Sequence, residues 1–138
     1  MTSISFGDAV RRSYQKDQRY QPAAYELVRD ALHIAAKKLR DENAEDQHVS
    51  GQELLAGFRD HVLNEYGPMS LLILEQWGLH KGEDVGNIVY NLIDVGYFGK
   101  NDGDSITDFA GGYDFKTAFT NPFLPTSQLP RETEERKA

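Results

Sequence analysis

The sequence contains no cysteine, which excludes disulfide bonds, thiol catalysis and cysteine-ligated zinc. Long apolar runs are also missing. The longest, Leu71–Leu74, is far shorter than the about 20 residues that a membrane-spanning helix needs. The N-terminal residues lack the apolar stretch of a signal peptide. These absences predict a protein of the cytoplasm, without a membrane span.

Basic residues are scarce in the middle of the chain. The 138 residues carry a formal net charge of −7, and residues 51–116 hold four basic and 11 acidic residues, a difference of −7. The whole excess of acid therefore lies in this segment. Such an asymmetry bears on the choice of binding partners rather than on the fold.

The spacing of apolar residues predicts a mainly α single domain of about five helices. Helical periodicity extends over about residues 6–17, 23–40, 53–66, 69–77 and 84–95, with the clearest apolar stripe in the second of these segments. Ser50-Gly51-Gln52-Glu53 has the pattern of a capping box at the start of the third. The apolar helix at 69–77 is expected to be buried on most sides. The predicted domain covers residues 1–119, and the Pro-rich, charged residues 120–138 are expected to form a mobile tail.

The part from about residue 50 to 119 has the order of a winged helix-turn-helix domain. The helix at 84–95 takes the place of the recognition helix, and a small C-terminal β-hairpin around Asn101–Gly103 takes the place of the wing. A loop with a short helix over residues 97–109 fits the pattern equally well. Fold alone does not establish DNA binding.

Charge argues against direct contact with duplex DNA. The expected solvent face of the helix at 84–95 carries acidic and amide side chains, and the following turn adds two more carboxylates: Asp84, Asn87, Asn91, Asp94, Asp102 and Asp104. Most affinity for DNA comes from Lys and Arg that neutralise phosphates. This face therefore favours an unknown protein partner, although an ordinary solvated helix face explains it equally well.

A basic cluster lies in and directly after the N-terminal helix: Arg11, Arg12, Lys16 and Arg19. Interleaved tyrosines make RNA or an acidic partner an alternative for this cluster. The protein would then be a nucleic-acid-associated factor in translation or transcription. The basic helix of one subunit could also meet the acidic middle of another, which gives the hypothesis of a homodimer.

Patterns that indicate catalysis or a bound cofactor are missing. The four histidines have no metal-ligand spacing, and neither a phosphate-binding loop nor a nucleophile motif is present. We therefore expect no metal and no cofactor, and the sequence lends no support to an enzymatic activity without excluding one. A small-ligand binder or enzyme with a pocket near Trp77 and Tyr90 is the weakest alternative. Phe123-Leu124, which lies between two prolines, is a candidate docking motif.

Several segments resemble a family of small bacterial proteins, the planctomycete and verrucomicrobial conserved hypothetical protein family. They cover roughly residues 6–119: "YELVRDAL", "HVSGQELLAGFRD", "YGPMSLLILEQWGL", "EDVGNIVYNLIDVGYFGK" and "DSITDFAGGYDFKTAF". The resemblance implies a single bacterial domain and brings no activity, cofactor or catalytic residue. The sequence therefore favours a non-enzymatic interaction or regulatory module.

Overall fold

The structure, a computed structural model, describes residues 4–41, 49–98, 109 and 113–124, and the regular secondary structure of this part is helical. The α-helices are α1 (Phe6–Lys16), α2 (Pro22–Asp41), α3 (Gly51–Tyr66), α4 (Ser70–Gln76), α5 (Gly82–Asp94) and α6 (Phe115–Thr120). Single-turn 3₁₀ helices, Gly67–Met69 and Asn121–Phe123, precede α4 and follow α6. The mainly α fold is therefore confirmed, with α6 as an addition to the five predicted helices.

Side-chain caps explain where three helices begin. Ser5 accepts a hydrogen bond from the backbone N–H of Asp8 at 3.2 Å, which caps α1. Ser50 and Glu53 form the predicted capping box of α3, with bonds of 3.1 and 2.9 Å. Asp114 accepts from the Thr117 N–H at 3.0 Å at the start of α6. Each cap satisfies a backbone donor that the first helical turn leaves unpaired.

The core lies between α2, α3 and α5, and α6 closes one end of it. Gly57 of α3 lies against Ala31 and Ala35 of α2; a Cβ there would be 3.4 Å from the Ala31 carbonyl oxygen. Phe115 and Phe119, one helical turn apart on α6, are buried against Phe58 of α3. Their spacing in the sequence predicts this inward face.

The helix α5 is the central element of the fold. Among its 13 residues only Asp94 is exposed, and six are buried. Phe109 packs directly onto Gly82 and Gly86, where a Cβ on Gly86 would lie 2.7 Å from the Phe109 ring. The expectation of a polar solvent face on this helix is therefore wrong for most of its length. Within the described residues, α5 therefore presents no continuous exposed stripe of side chains.

The helix α4 also differs from the prediction, because it is more exposed than expected. Only Ser70 and Leu74 are buried in it, whereas Leu72 is 49% exposed and the preceding Met69 is 52% exposed. α4 packs against α3 and α6 on one side and faces outward on the other. A short, almost wholly apolar run contains no periodicity that could reveal which side faces the core.

The predicted hairpin falls largely outside the described residues. Tyr97 and Phe98 form a bend, and Phe109 is buried, so that none of the three lies in a β-strand. Residues 99–108, which include the predicted Asn101–Gly103 turn, lie outside the described ranges. Within those ranges no helix has the length and the apolar composition needed to cross a membrane.

Candidate functional site

The polar side chains of α5 bind other parts of the same chain. Tyr20, at the loop between α1 and α2, donates a hydrogen bond to Asp84 at 2.7 Å and accepts one from the Asn87 amide at 2.9 Å. The second carboxylate oxygen of Asp84 accepts from the backbone N–H groups of His80 and Lys81 at 2.8 and 3.2 Å. Asp84 thereby anchors the α1–α2 loop and holds the turn before α5.

One helical turn further on, Asn91 extends this arrangement. Its amide nitrogen donates to Asp17 and to the Tyr25 hydroxyl, both at 3.0 Å. Asp17 is also held by the Arg19 guanidinium through two bonds of 2.9 and 2.8 Å. We call the set Asp17, Tyr20, Tyr25, Asp84, Asn87 and Asn91 the α5 polar network. It joins α5 to the α1–α2 loop and to α2.

The contacts of the α5 polar network shift the pKa values of several of its side chains. The Arg19 guanidinium lowers the pKa of Asp17 well below its usual range, and the Asn91 amide adds to this effect. Burial raises the pKa of the Tyr20 and Tyr25 hydroxyls above their usual value. At neutral pH the network therefore holds an ionised Asp17 and two neutral tyrosines, which is the state that its hydrogen bonds require.

The residues of the predicted partner-binding face, which we call the contact stripe, therefore differ in their environments. Asp84 is 8% exposed, and Asn87 and Asn91 are half-buried in the network. A surface used for partner binding needs exposed groups, and these three are occupied internally because long-range packing turns them inward. Asp94 is exposed and forms an ion pair with Lys16 of α1. The last two predicted residues, Asp102 and Asp104, lie outside the described ranges.

Most of the basic cluster is neutralised within the chain. Arg11 pairs with Asp8, Lys16 with Asp94, and Arg19 with Asp17. The Arg19 guanidinium also lies 5.1 Å from the centre of the Tyr20 ring. Arg12 is exposed, and no carboxylate of the described residues pairs with it. Three of the four basic side chains therefore have a carboxylate partner within the chain.

A second feature of the structure is an open apolar cleft beside α4. It has a volume of about 320 Å³ and lies between α4, α6 and the 3₁₀ turn that follows α6. Its lining is formed by Pro68, Leu71, Leu72, Glu75, Phe119, Thr120, Phe123 and Leu124. We call this cleft the α4–α6 groove. Thr120, Phe123 and Leu124, which belong to the tail predicted from the sequence, form part of this lining.

The α4–α6 groove gathers exposed apolar side chains. Four large hydrophobic residues of the described part are exposed, namely Ile34, Met69, Leu72 and Phe123. Leu72 and Phe123 both line the groove, and Met69 directly follows its Pro68. Single exposed hydrophobic residues are ordinary, but a cluster around one depression is typical of an interaction site. The sequence signal was the Phe123-Leu124 pair; Leu72 was missed because its helix was expected to be buried.

A second, smaller cleft lies between α2 and α3. Its volume is about 180 Å³, and Ile34 and Lys38 are among its lining residues. Trp77 and Tyr90, proposed above as the neighbourhood of a ligand pocket, line neither of these clefts. The Trp77 ring instead packs edge-on against the Tyr66 ring, and the two ring centres are 5.9 Å apart. Among the described residues no group of three His, Asp or Glu side chains is arranged to hold a metal ion.

No protein-family model, curated protein or solved structure matches this chain. The similarity to the planctomycete and verrucomicrobial family therefore remains a prediction from the quoted segments. What the chain offers for a functional inference is the geometry of the α5 polar network and of the α4–α6 groove.

Proposed function

We propose that this protein is a non-enzymatic protein-interaction module whose contact surface is the α4–α6 groove. The observation that carries the proposal is the exposure of Leu72 and Phe123 on opposite walls of one cleft. Burial of such apolar surface contributes about 25 cal/mol per Å², and a partner that covers the groove would gain this free energy.

The outer side of α4 supports this assignment. Met69 and Leu72 are three residues apart and are both exposed, next to Pro68 and the half-buried Leu71. Side chains spaced in this way lie on one helix face. Inside the same helix, Leu74 is fully buried and secures α4 to the core. The apolar face is therefore presented by an element whose other side is well packed, which suits a preformed binding surface.

The α5 polar network supports a structural role for the residues that the sequence indicated as the contact stripe. Its donors and acceptors pair with one another over long sequence separations, such as Asp84 with Tyr20. A partner that engaged Asp84 or Asn91 would first have to break these internal bonds. Asp94, at the exposed end of the stripe, is the member that remains accessible to a partner.

Affinity capture with substituted proteins tests the proposed surface. Wild type, Leu72→Glu and Ile34→Glu would be used as bait in a nuclease-treated extract of the source organism. Ile34 is a matched control because it is 46% exposed, close to the 49% of Leu72, but lies in the other cleft. A partner identified by mass spectrometry would then be purified and its binding measured with the three proteins.

We expect a purified partner to bind wild type and Ile34→Glu alike and to bind Leu72→Glu at least about tenfold more weakly, since a charge would then be buried in the contact. Equal binding of Leu72→Glu would overturn the assignment of the groove. Capture that occurs only in a parallel extract without nuclease, and that Arg12→Ala abolishes, would favour the nucleic-acid alternative instead.

A further inference from the structure

The outer side of the α2–α3 helix pair carries the smaller cleft, which the proposed function does not use. We call this side the α2–α3 face. Ile34 of α2 is 46% exposed beside the cleft. On the opposite wall, α3 presents only small residues, the exposed Ala56 and the adjacent Gly57. The same face therefore holds a large exposed apolar side chain and, next to it, a depression lined by small residues.

The register of the two helices places a basic and an acidic residue at the same level. Because only residues 42–50 join α2 to α3, the helices are antiparallel neighbours. Asp30 of α2 lies 3.9 Å from His61 of α3. Eight residues later on α2 and eight residues earlier on α3 are Lys38 and Glu53, which line the cleft from opposite walls.

The two walls differ in charge. Lys38 is exposed, and among the described residues no carboxylate pairs with it. Glu53 is exposed as well, and one of its oxygens accepts from the Ser50 N–H. The helices differ in the same sense: α2 has four basic and three acidic residues, a difference of +1, and α3 has one basic and three acidic residues, a difference of −2. A complementary surface therefore has acid opposite α2 and base opposite α3.

A second copy of the chain supplies such a surface. A two-fold axis parallel to the helices places α2 of each copy on α3 of the other, with residues of the same level in contact. Lys38 then faces Glu53 of the partner subunit. Ile34 faces the depression formed by the partner's Ala56 and the partner's Gly57. Each of these contacts occurs twice, and the four helices form a bundle.

The other charged residues of the α2–α3 face are compatible with this arrangement. Asp30 and Asp60 would approach each other from the two copies. Arg29 lies 3.2 Å from Asp30, and Arg59 lies 3.0 Å from Asp60. Each carboxylate therefore brings its own cation into the contact. The net charge of −7 per chain adds a repulsion over longer distances, which physiological salt largely screens.

The size of the α2–α3 face predicts how tightly the copies associate. α3 has 16 residues, which gives a contact about 24 Å long, and two packed helices make it about 20 Å wide. The area of about 500 Å² per copy is at the low end for a specific interface. A weak dimer that dissociates on dilution is therefore expected.

We propose that the protein forms a symmetric dimer through the α2–α3 face, with Ile34 packed on the small-residue depression of the other copy and Lys38 paired with Glu53 of the partner subunit. The α4–α6 groove is lined by different residues and takes no part in this contact. A dimer carries two such grooves, which raises the avidity for a partner with two binding segments. Only this last consequence rests on the proposed function.

Light scattering on the full-length protein tests the dimer directly. At physiological salt, the wild-type mass should rise from that of one chain toward twice that value between about 1 μM and about 1 mM. Ile34→Glu should stay monomeric, because it places a charge in the apolar contact. Leu72→Glu is the matched control, since Leu72 has a similar exposure of 49% and lies in the α4–α6 groove. It should dimerise like wild type, and thermal unfolding checks that both variants fold.

A pair of charge reversals tests which residues meet. Lys38→Glu and Glu53→Lys should each dimerise at least about tenfold more weakly than wild type, because each places like charges opposite one another. Mixed together, with one protein isotope-labelled, they should form mixed dimers in excess of the statistical half in native mass spectrometry. Lys37→Glu changes the net charge in the same way on an exposed neighbour that does not line the cleft, and should dimerise like wild type.

The outcomes separate this proposal from the proposed function. A wild-type protein that stays monomeric at about 1 mM would overturn the dimer and leave the α4–α6 groove untouched. A dimer that persists in Ile34→Glu, or the absence of any excess of mixed dimers, would also overturn it. A dimer that Leu72→Glu dissociates while Ile34→Glu does not would show that the second copy occupies the α4–α6 groove, and would contradict both proposals.

Discussion

The α5 polar network and the α4–α6 groove use side chains in opposite ways. Asp84, a carboxylate, is buried at 8% exposure, whereas Leu72, an apolar side chain, is 49% exposed. In the network each buried polar group has internal partners, so that burial is compatible with stability. In the groove, other described residues do not cover the exposed apolar surface.

The difference shows how structure and binding are divided in this protein. Polar residues of α5 hold this helix to the α1–α2 loop, and apolar residues of α4 and of the turn after α6 form the open surface. Substitutions in the network should therefore change the free energy of unfolding, and substitutions in the groove should change binding with little effect on stability.

The largest expected effect comes from Asp84→Ala. It removes the acceptor for the Tyr20 hydroxyl and for the His80 and Lys81 N–H groups, and we expect a loss of about 3 kcal/mol in the free energy of unfolding. Asp94→Ala, at the exposed end of the same stripe, should cost less than about 0.5 kcal/mol. Urea denaturation measures both.

Equal losses in the free energy of unfolding for these two variants would show that the network residue contributes no more to stability than the exposed one. A double-mutant cycle with Tyr20→Phe isolates the contact between Tyr20 and Asp84. We expect a coupling of about 1 kcal/mol or more, because the two side chains share a buried hydrogen bond.

The next largest effect is expected from Gly86→Ala. A methyl group there would lie 2.7 and 2.8 Å from two ring atoms of Phe109, so the ring must move, at a cost of about 2 kcal/mol. Gly7→Ala in α1 is the matched control, since no atom lies within 4 Å of the position that its methyl group would take. That change should be neutral or stabilise by up to about 1 kcal/mol, because Ala favours helix. Thermal unfolding of both variants measures whether the stability falls in one variant and stays equal or rises in the other.

A moderate effect is expected on acid stability. The pKa of Asp17 is lowered in the folded state, chiefly by Arg19, whereas an unfolded Asp has a pKa of about 3.9. Below that pH the unfolded chain takes up the proton first, so unfolding becomes more favourable as the pH falls. The contribution of Asp17 is fully present above about pH 4 and is lost progressively below it.

Asp17→Asn should therefore lower stability by about 1 kcal/mol at pH 7 and flatten the loss of stability below pH 4, as followed by circular dichroism. Arg19→Gln removes the main cause of the lowered pKa and should flatten the acid profile as well. An unchanged profile in both variants would show that Asp17 is not held as described.

The smallest effect on stability is expected in the groove. Leu72→Glu and Phe123→Ser alter exposed side chains, and each should change the free energy of unfolding by less than about 0.5 kcal/mol. Their effect on binding, in contrast, should be large. A loss of more than about 1 kcal/mol in urea denaturation would show that these side chains contribute to the core and that the groove is not a free surface.

Local patterns in the sequence were sufficient to predict most of the helices. The capping box at Ser50 and Glu53 and the periodic stripe of α2 both depend on neighbours within one or two turns, and both predictions are confirmed. The inward face of α6 follows from Phe115 and Phe119 in the same way. Propensity, capping and periodicity are local quantities, which a single sequence contains.

The sequence could not indicate which faces the neighbouring helices cover. The Asp84–Asn91 stripe has the composition of a solvent face, but Tyr20 and Asp17, more than 60 residues earlier, bind it from inside. The helix around Leu72 has the composition of a core segment, but only one of its sides is covered. Such contacts join residues far apart in the chain, so only the tertiary structure decides them.

The sequence by itself determined the helical class, the helix ends and the acidic middle of the chain, because these follow from local preferences and from composition. The tertiary structure decided that α5 is central, that its polar groups are paired internally and that the free apolar surface is the α4–α6 groove. The physical reason is that burial depends on which helices pack together, and composition specifies a face without specifying what covers it.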